Sequence, residues 1–208
     1  MINLTKSKDI SIKNLKKEDL KEIGYQQLME VYKSLPTVDF VEMDGDYDSG
    51  MVGFITEIKE KGSIWWLHKT EKGDWLGKSF TPKIKSERRG EGYNRWKIEG
   101  REVHHMRFLT DMSESLIDEK ITFRLKYALF KNDGGIVDMT DEVRKIRKGL
   151  YLCVGMADPN KLPPDFFYLA GPVHEYDHSS EWIYGDEVEK HANISVTYKN
   201  FPYPDEIK

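Results

Sequence analysis

The sequence predicts a mainly β protein, an antiparallel sandwich or barrel preceded by one N-terminal helix. Short apolar runs recur after residue 40, and turn-forming stretches such as KGS, RGEG, NDGG and RKG separate them. Many short strands with frequent turns between them are typical of antiparallel sandwiches and barrels. With 208 residues, the chain is long enough for one domain with a sizeable core.

The predicted helix covers residues 16–33, where apolar side chains recur near helical spacing between lysines and glutamates. Pro36 is expected to end it, because proline cannot continue a helix. Beyond this point the sequence contains few further helix signals.

Seven apolar runs are predicted to be strands. Alternation is cleanest in ITFRLKYALF, where Ile121, Phe123, Leu125 and Tyr127 share one face. Tyr127 is therefore expected to face the interior. The seven runs are MVGFITEI, SIWWLHK, YNRWKI, VHHMRFL, ITFRLKYALF, LYLCVGM and FFYLAG.

The segment DEVRKIRKGLYLCVGM is charged in its first half and apolar in its second half. Gly149 follows two basic residues, in a composition suited to a hairpin turn with a left-handed residue. We therefore predict two antiparallel strands, EVRKI and LYLCVGM. A helix is the alternative, since it would place Val143, Ile146 and Leu150 on one face.

Composition excludes several functional classes. A formal net charge of −4 does not indicate a nucleic-acid partner. No apolar run approaches the roughly 20 residues that span a bilayer, and the N-terminus has no apolar signal segment. Cys153 is the single cysteine, which fits a reducing, cytoplasmic location and argues against a cysteine-rich zinc site.

The sequence predicts no cofactor, because it contains neither a G-x-G-x-x-G motif nor a P-loop. It also lacks the G-x-S-x-G motif of serine hydrolases, and its cysteine lies in an apolar strand. Nucleotide chemistry and nucleophilic hydrolysis are therefore disfavoured. A cofactor-free reaction run by carboxylate, histidine, tyrosine and arginine in a dry cavity stays open.

Five short motifs occur in an order that resembles a known family. They are SLP at 34–36, WLGKSF at 75–80, DEVR at 141–144, LYLCVGM at 150–156 and PPDFFYL at 163–169. This order resembles the GXWXG family with its companion domain of unknown function. The chain departs from that family at Tyr47, where the family has tryptophan, and over residues 83–118, which do not align.

The resemblance implies a lipocalin-like, calycin-type antiparallel β-barrel with a ligand-sized interior, and it implies no particular activity. The predicted organisation is an N-terminal helical segment at 1–40, the barrel at 41–172 and a C-terminal extension at 173–208 that packs on the barrel.

Asp141 and Arg144 are the first candidate site residues, since they stand in the DEVR motif. Residues three apart on a strand point to opposite faces, so a bend near Thr140 would be needed to bring both to one rim. We predict that Arg144, assisted by Arg107, binds an anionic group, and that Asp141 or His105 transfers a proton. The alternative is a structural ion pair.

Arg95, His105 and Arg107 form a second candidate group. Alternation in VHHMRFL places His105 and Arg107 on one face. Inside a barrel that face would anchor a polar ligand group, and outside it would be an ordinary solvated face.

Aromatic residues form a third group, with Trp65, Trp66, Trp75 and Trp96 as ligand-stacking candidates and Lys78 beside Trp75 in WLGKSF. Adjacent tryptophans on a strand face opposite sides, so one of the first two is expected to face inward. Packing at the base of the barrel is the alternative role for these rings.

His174 and His178 in HEYDH are weak metal candidates, because their spacing suits a helix whereas their context indicates a loop. We therefore predict no metal site.

Three functions follow from this sequence. The first is binding of a small, mostly apolar, anionic molecule inside the barrel. The second is a cofactor-independent lyase, isomerase or cyclase in the same cavity, and the third is a structural or interaction protein with a closed core. The small-molecule ligand is the one predicted partner, and a homodimer is left open.

Overall fold

The computed structural model describes residues 12–128, 130–132, 135–136, 139–156 and 163–177. Its helices are α1 (Lys17–Lys21), α2 (Tyr25–Ser34) and α3 (Glu57–His68). Its strands are β1 (Gly45–Val52), β2 (Asp74–Ile84), β3 (Arg89–Ile98), β4 (Arg101–Glu114), β5 (Ile121–Lys126), β6 (Lys131–Asn132), β7 (Gly135–Ile136), β8 (Thr140–Arg147), β9 (Leu150–Met156) and β10 (Asp165–His174). No helix within these ranges is long and apolar enough to cross a membrane.

Eight of the described strands close into an antiparallel barrel in the order β1-β10-β9-β8-β5-β4-β3-β2. Each strand pairs with the next barrel strand along the chain, and β10 closes the ring by pairing with β1. The β6–β7 hairpin is a separate two-stranded sheet inserted between β5 and β8. The predicted mainly β, antiparallel barrel behind N-terminal helical structure is thus confirmed.

The N-terminal helix is two helices rather than the one predicted. The chain leaves the helical conformation between α1 and α2, where Gly24 is the extended N-cap residue of α2. Both helices bury their apolar side chains in a cluster shared with the outer surfaces of β9 and β10. Glycine lowers helix propensity by about 1 kcal/mol relative to alanine, so a break here is consistent with the sequence.

The prediction that SIWWLHK is a strand was wrong, because these residues belong to α3. Thr56 caps this helix by accepting a hydrogen bond from the Lys59 backbone N–H at 3.2 Å. Glu57 and Glu60 lie in its first turn, where carboxylates interact favourably with the positive end of the helix dipole. The capping signal outweighs the β-forming tryptophans, and α3 therefore separates β1 from β2.

The predicted hairpin of EVRKI and LYLCVGM is confirmed as β8 and β9, with Gly149 at a φ of +81° in the turn. Leu152 and Val154 pack outward in the cluster that includes the N-terminal helices. Tyr151 and Cys153 pack inward in the barrel core. Because both faces of β9 are buried, the strand is apolar along its length.

A β-bulge in β4 breaks the alternation expected for VHHMRFL. Met106 has a φ of +52°, and the register passes from Gly92 opposite Phe108 to Asn94 opposite His105. One extra residue therefore lies on β4 at this point. The prediction that His105 and Arg107 share a face was wrong, because the bulge changes which residues face the interior.

Candidate functional site

A cavity of about 580 Å³ lies in the barrel interior, next to α3. Its lining is mostly apolar and includes Met51, Trp66, Trp75, Met139 and Phe167. Lys78, Asn94 and Asp141 supply polar groups deep in the wall, and Gly62 and Ser63 of α3 border it from the other side. Its volume is within the range of about 300–1,000 Å³ that is usual for small-molecule sites.

A buried hydrogen-bond network surrounds the amine of Lys78. Nζ lies 2.9 Å from Oδ2 of Asp141, 2.7 Å from Oδ1 of Asn94 and 2.6 Å from the hydroxyl oxygen of Tyr127. The Tyr127 hydroxyl donates to Asp141 at 2.9 Å, and Trp75 Nε1 donates to Asn94 Oδ1 at 3.1 Å. The five side chains form one connected network, which we call the interior polar network.

A second bulge, in β2, brings Trp75 and Lys78 into this network. Gly77 has a φ of +151°, and a Cβ there would lie 2.0 Å from the backbone oxygen of Tyr47 on β1. The register between β2 and β3 shifts between Trp75 and Gly77. The bulge lets two residues three apart both face the interior, and glycine permits the close approach of β1.

The remaining members come from across the barrel. Asp141 lies opposite Leu125 in the β5–β8 ladder, and Tyr127 follows two residues later with its side chain on the same face as Leu125. Asn94 precedes inward-facing Trp96 by two residues on β3. Strand alternation therefore directs side chains from four strands, or their ends, to one point.

Burial determines the electrostatics of the network. The side chains of Lys78 and Asp141 are 3% and 2% exposed, and opposite charges compensate each other there. Burial, and next the negative charge of Asp141, raise the pKa of Tyr127 well above its usual value, so the phenol is neutral and acts as a donor.

Cys153 is not placed to act as a nucleophile. Burial, with a further contribution from the Asp141 charge, raises the pKa of its thiol well above the usual value. A thiol rather than a thiolate occupies this position, and only the thiolate is strongly nucleophilic.

Four residues singled out from the sequence line this cavity: Asp141, Lys78, Trp66 and Trp75. Tyr127 is buried next to it and accepts a hydrogen bond from Lys78. Trp96 is fully buried beside the cavity. Its ring is edge-to-face with the rings of Trp66 and His105, at centroid distances of 5.6 and 6.1 Å. Trp66 borders the cavity and Trp65 is exposed, but both lie on α3 rather than on the strand from which their opposite orientations were predicted.

Arg144 lies on the outer surface of the barrel. Its guanidinium donates to Asp118 at 2.8 and 2.5 Å and to the backbone oxygen of Tyr32 at 3.2 Å. The hydrogen bonds from Arg144 lower the pKa of Asp118 to about 2. Asp141 faces inward and Arg144 outward, as spacing on a regular strand requires, and no bend brings them to one rim.

Arg107 and Arg95 also lie outside the barrel. Arg107 pairs with Glu91, and its guanidinium lies 4.7 Å from the centre of the Phe130 ring. Arg95 pairs with Glu102 at 2.6 Å. Burial alone would raise the pKa of Glu102, but hydrogen bonds from His104 and Arg95 outweigh it and lower the pKa to about 2.

The other candidates lie away from the cavity or outside the described residues. Trp65 is 59% exposed on the far side of α3, and His174 is exposed at the end of β10. His178 lies outside the described residues, so the HEYDH motif stays untested. Within the described ranges, no group of three histidine, cysteine or carboxylate side chains could hold a metal ion.

Asn94 connects Trp75, Lys78 and Tyr127, but it was not among the residues predicted from the sequence. The same alternation that directs Trp96 inward would have found it. The bulges at Gly77 and Met106 left no comparable signal, because each depends on the approach of a neighbouring strand.

Comparison with known proteins leaves the family open. No family model matches the chain, and no curated protein matches it. A crystal structure of a protein from Thermomonospora curvata is similar at 13% sequence identity and a TM-score of 0.49, covering 71% of this chain and 87% of that one. This likeness is too weak to support an argument, and membership of the GXWXG family stays a prediction.

Proposed function

We propose that this protein binds a small, mostly apolar molecule in the barrel cavity, with one polar group of the ligand at the interior polar network. The observation that supports this most directly is the position of Lys78 and Asp141, which border an apolar cavity of about 580 Å³. Small-molecule sites commonly combine an apolar lining with a few polar groups that orient the ligand.

The topology supports the same proposal. Closed up-and-down barrels of eight strands include the lipocalins, and an eight-stranded interior is wide enough to hold one small ligand. A lipocalin-like carrier, as the GXWXG resemblance implies, is therefore part of the proposal.

The charges near the cavity favour a neutral polar group over an anion. Arg144 and Arg107, which the sequence suggested as anion anchors, are bound to Asp118 and Glu91 outside the barrel. Lys78 is paired with Asp141, so the pair carries no net charge. A hydroxyl or carbonyl group can exchange hydrogen bonds with this pair without adding an uncompensated charge.

Catalysis is the second candidate, and the Tyr127–Asp141 hydrogen bond of 2.9 Å favours it. A carboxylate beside a neutral phenol and a lysine is a set of groups that can exchange protons with a bound substrate. A cofactor-independent lyase, isomerase or cyclase would use this set. The third reading, a structural protein with a closed core, is less well supported because the core contains the cavity.

A larger side chain at the exposed edge of the cavity tests the proposal without damaging the fold. Gly62 borders the cavity from α3, and a Cβ at this position meets nothing within 4 Å. Gly62→Leu should weaken ligand binding about tenfold or more, or about 1.4 kcal/mol. It should also keep or increase the stability of α3, because leucine favours helix over glycine by up to about 1 kcal/mol.

The control variant is Gly62→Ala, which shares the gain in helix propensity but obstructs little of the cavity edge. Binding is measured by tryptophan fluorescence during titration with cinnamyl alcohol and cinnamate, a neutral and an anionic ligand of similar shape. We expect the parent to bind the alcohol more tightly. Equal affinity of parent and Gly62→Leu for both compounds would place binding outside the cavity, and no response from the parent would count against the proposal.

A further inference from the structure

Lys78 is buried in an unusual position for a lysine. Among the described residues that line the cavity it is the only basic one. Its Nζ lies 5.2–5.6 Å from the centres of four rings, those of Trp75, Phe108, Tyr127 and Phe167. Lysine is almost never fully buried unless paired, and its amine becomes nucleophilic when a neighbouring base removes its proton.

The base is already in place. Oδ2 of Asp141 is 2.9 Å from Nζ, within the reach required for proton transfer, and Asp141 also borders the cavity. A ligand atom in the cavity can therefore contact both the amine and the carboxylate. The Tyr127 hydroxyl donates a hydrogen bond to Asp141 and accepts one from Lys78, so it fixes the positions of the amine and the carboxylate relative to each other.

We infer that Lys78 captures an apolar aldehyde or ketone in this cavity as a covalent imine, with Asp141 as proton acceptor and donor. This inference rests on the proposed binding function and names the ligand class. The apolar lining selects the body of the ligand, and its carbonyl group is the polar group that reaches the interior polar network.

The reaction balances without a cofactor. Asp141 accepts a proton from the Lys78 ammonium, and the free amine attacks the carbonyl carbon to form a C–N bond. A second amine proton passes to the former carbonyl oxygen, which becomes a hydroxyl group. Asp141 then returns its proton to that hydroxyl, the C–O bond breaks, and water leaves. The product is a protonated imine paired with the Asp141 carboxylate.

The resting protein and the product have the same charges in the same place. An ammonium and a protonated imine each carry one positive charge, and the Asp141 carboxylate compensates both. Because the change adds no buried charge, it avoids the desolvation penalty that an uncompensated ion would bring. The site that stabilises the lysine therefore also stabilises the imine.

Reductive trapping tests this inference. The full-length protein is incubated with limiting cinnamaldehyde and cyanoborohydride, and the labelled lysine is identified by peptide mass mapping. We expect Lys78 to carry about tenfold more label than any exposed lysine, because the cavity holds the bound aldehyde next to the Lys78 amine and the Asp141 carboxylate, whereas an exposed lysine meets the aldehyde only by random collision. Mapping in the parent protein needs no variant, so a folding defect cannot mislead it.

Two variants sharpen the test. Lys78→Arg keeps a positive charge beside Asp141 but cannot form an imine, so the labelled peptide should disappear. Lys61→Arg on α3 is the matched control, because the Lys61 side chain is 81% exposed. In this variant, Lys78 should be labelled to the same extent as in the parent protein.

The outcomes separate this inference from the proposed function. If the parent binds cinnamyl alcohol but Lys78 is labelled no faster than exposed lysines, the imine is wrong and the binding function stands. If neither cinnamyl alcohol nor cinnamaldehyde binds, both are wrong. Preferential label at Lys78 that is lost in Gly62→Leu supports both together.

Discussion

Two ion pairs with a buried cation lie on opposite sides of the barrel wall, and their surroundings differ. Lys78 and Asp141 meet inside the barrel, where the cavity borders both side chains. Arg144 and Asp118 meet outside it, where Arg144 also donates to the backbone oxygen of Tyr32 near the end of α2. Asp141 and Arg144 stand on the same strand, so the barrel wall alone separates the two environments.

The difference shows how to distinguish a structural charge from one that is available to a ligand. Arg144 is 1% exposed and is held by protein atoms from α2 and from the segment before β5, so it joins these parts to the barrel. Lys78 is buried to a similar degree, but the space beside it is a cavity. Burial and pairing are alike in the two residues, and only the cavity makes one of them a candidate for chemistry.

The largest expected effect is that of breaking the inner pair. Lys78→Met leaves the Asp141 carboxylate buried without its cation, so we expect the free energy of unfolding to fall by about 3–5 kcal/mol. Urea unfolding measures it. Adding Asp141→Leu removes the second charge and should recover much of the loss. A decrease below about 1 kcal/mol in the single variant would contradict the view that the pair is shielded from water.

Breaking the outer pair should have a smaller effect on folding. Arg144→Leu loses hydrogen bonds to a charged partner, and we expect about 1–3 kcal/mol, because the Asp118 side chain is 14% exposed and can be hydrated. The affinity of the folded variant for cinnamyl alcohol or cinnamate should change by less than about 1 kcal/mol. A loss of 2–5 kcal/mol in cinnamate affinity, roughly the effect of truncating a buried charge pair, would restore Arg144 as an anion anchor.

The outer pair should also be visible in the acid unfolding curve. The folded pKa of Asp118 is about 2, below the usual value of 3.8, so its contribution to stability is fully present above about pH 4. That contribution is lost as the pH falls through about 2. Asp118→Asn should reduce the slope of the free energy of unfolding against pH between about pH 2 and pH 4. Arg144→Leu should reduce it in the same way, and an unchanged slope in both variants would exclude the coupling.

The smallest effects separate the two neighbouring tryptophans of α3. Trp66→Leu removes a ring that borders the cavity and contacts Trp96, and we expect ligand affinity to fall by about 0.5–1.5 kcal/mol. Trp65→Leu is the matched control, because Trp65 is 59% exposed and surface substitutions usually change stability by less than about 0.5 kcal/mol. Calorimetric titration with cinnamyl alcohol measures the affinity of both variants. An equal loss of affinity in the two would contradict a specific contact between the Trp66 ring and the ligand.

Much of the fold could be predicted because strand patterns are local. The β8–β9 hairpin, the turn at Gly149 and the inward face of β5 all follow from period-two alternation and a turn residue. Helix α3 was missed because the cap at Thr56 and the acidic first turn oppose the β propensity of Trp65 and Trp66. Neither signal is strong alone, and packing over the cavity favours the helix.

The candidate site was predicted residue by residue but not as a group. Asp141, Lys78, Tyr127 and Trp75 were all singled out, whereas the expected anion anchors were Arg144 and Arg107. The bulge at Met106 placed Arg107 outside, and the register of β8 placed Arg144 there. A shift of one residue reverses the face of every following side chain, so small irregularities decide which charge reaches the interior.

The sequence by itself determined that the chain forms many short antiparallel strands, and that EVRKI and LYLCVGM pair as a hairpin through the turn at Gly149. These properties depend on alternation and on turn residues, which act over a few positions. Only the tertiary structure decided that Lys78, rather than an arginine, meets Asp141 at the cavity. Lys78 and Asp141 are 63 positions apart in the chain. Their contact depends on barrel closure and on the bulge at Gly77, and no local sequence pattern specifies either of these.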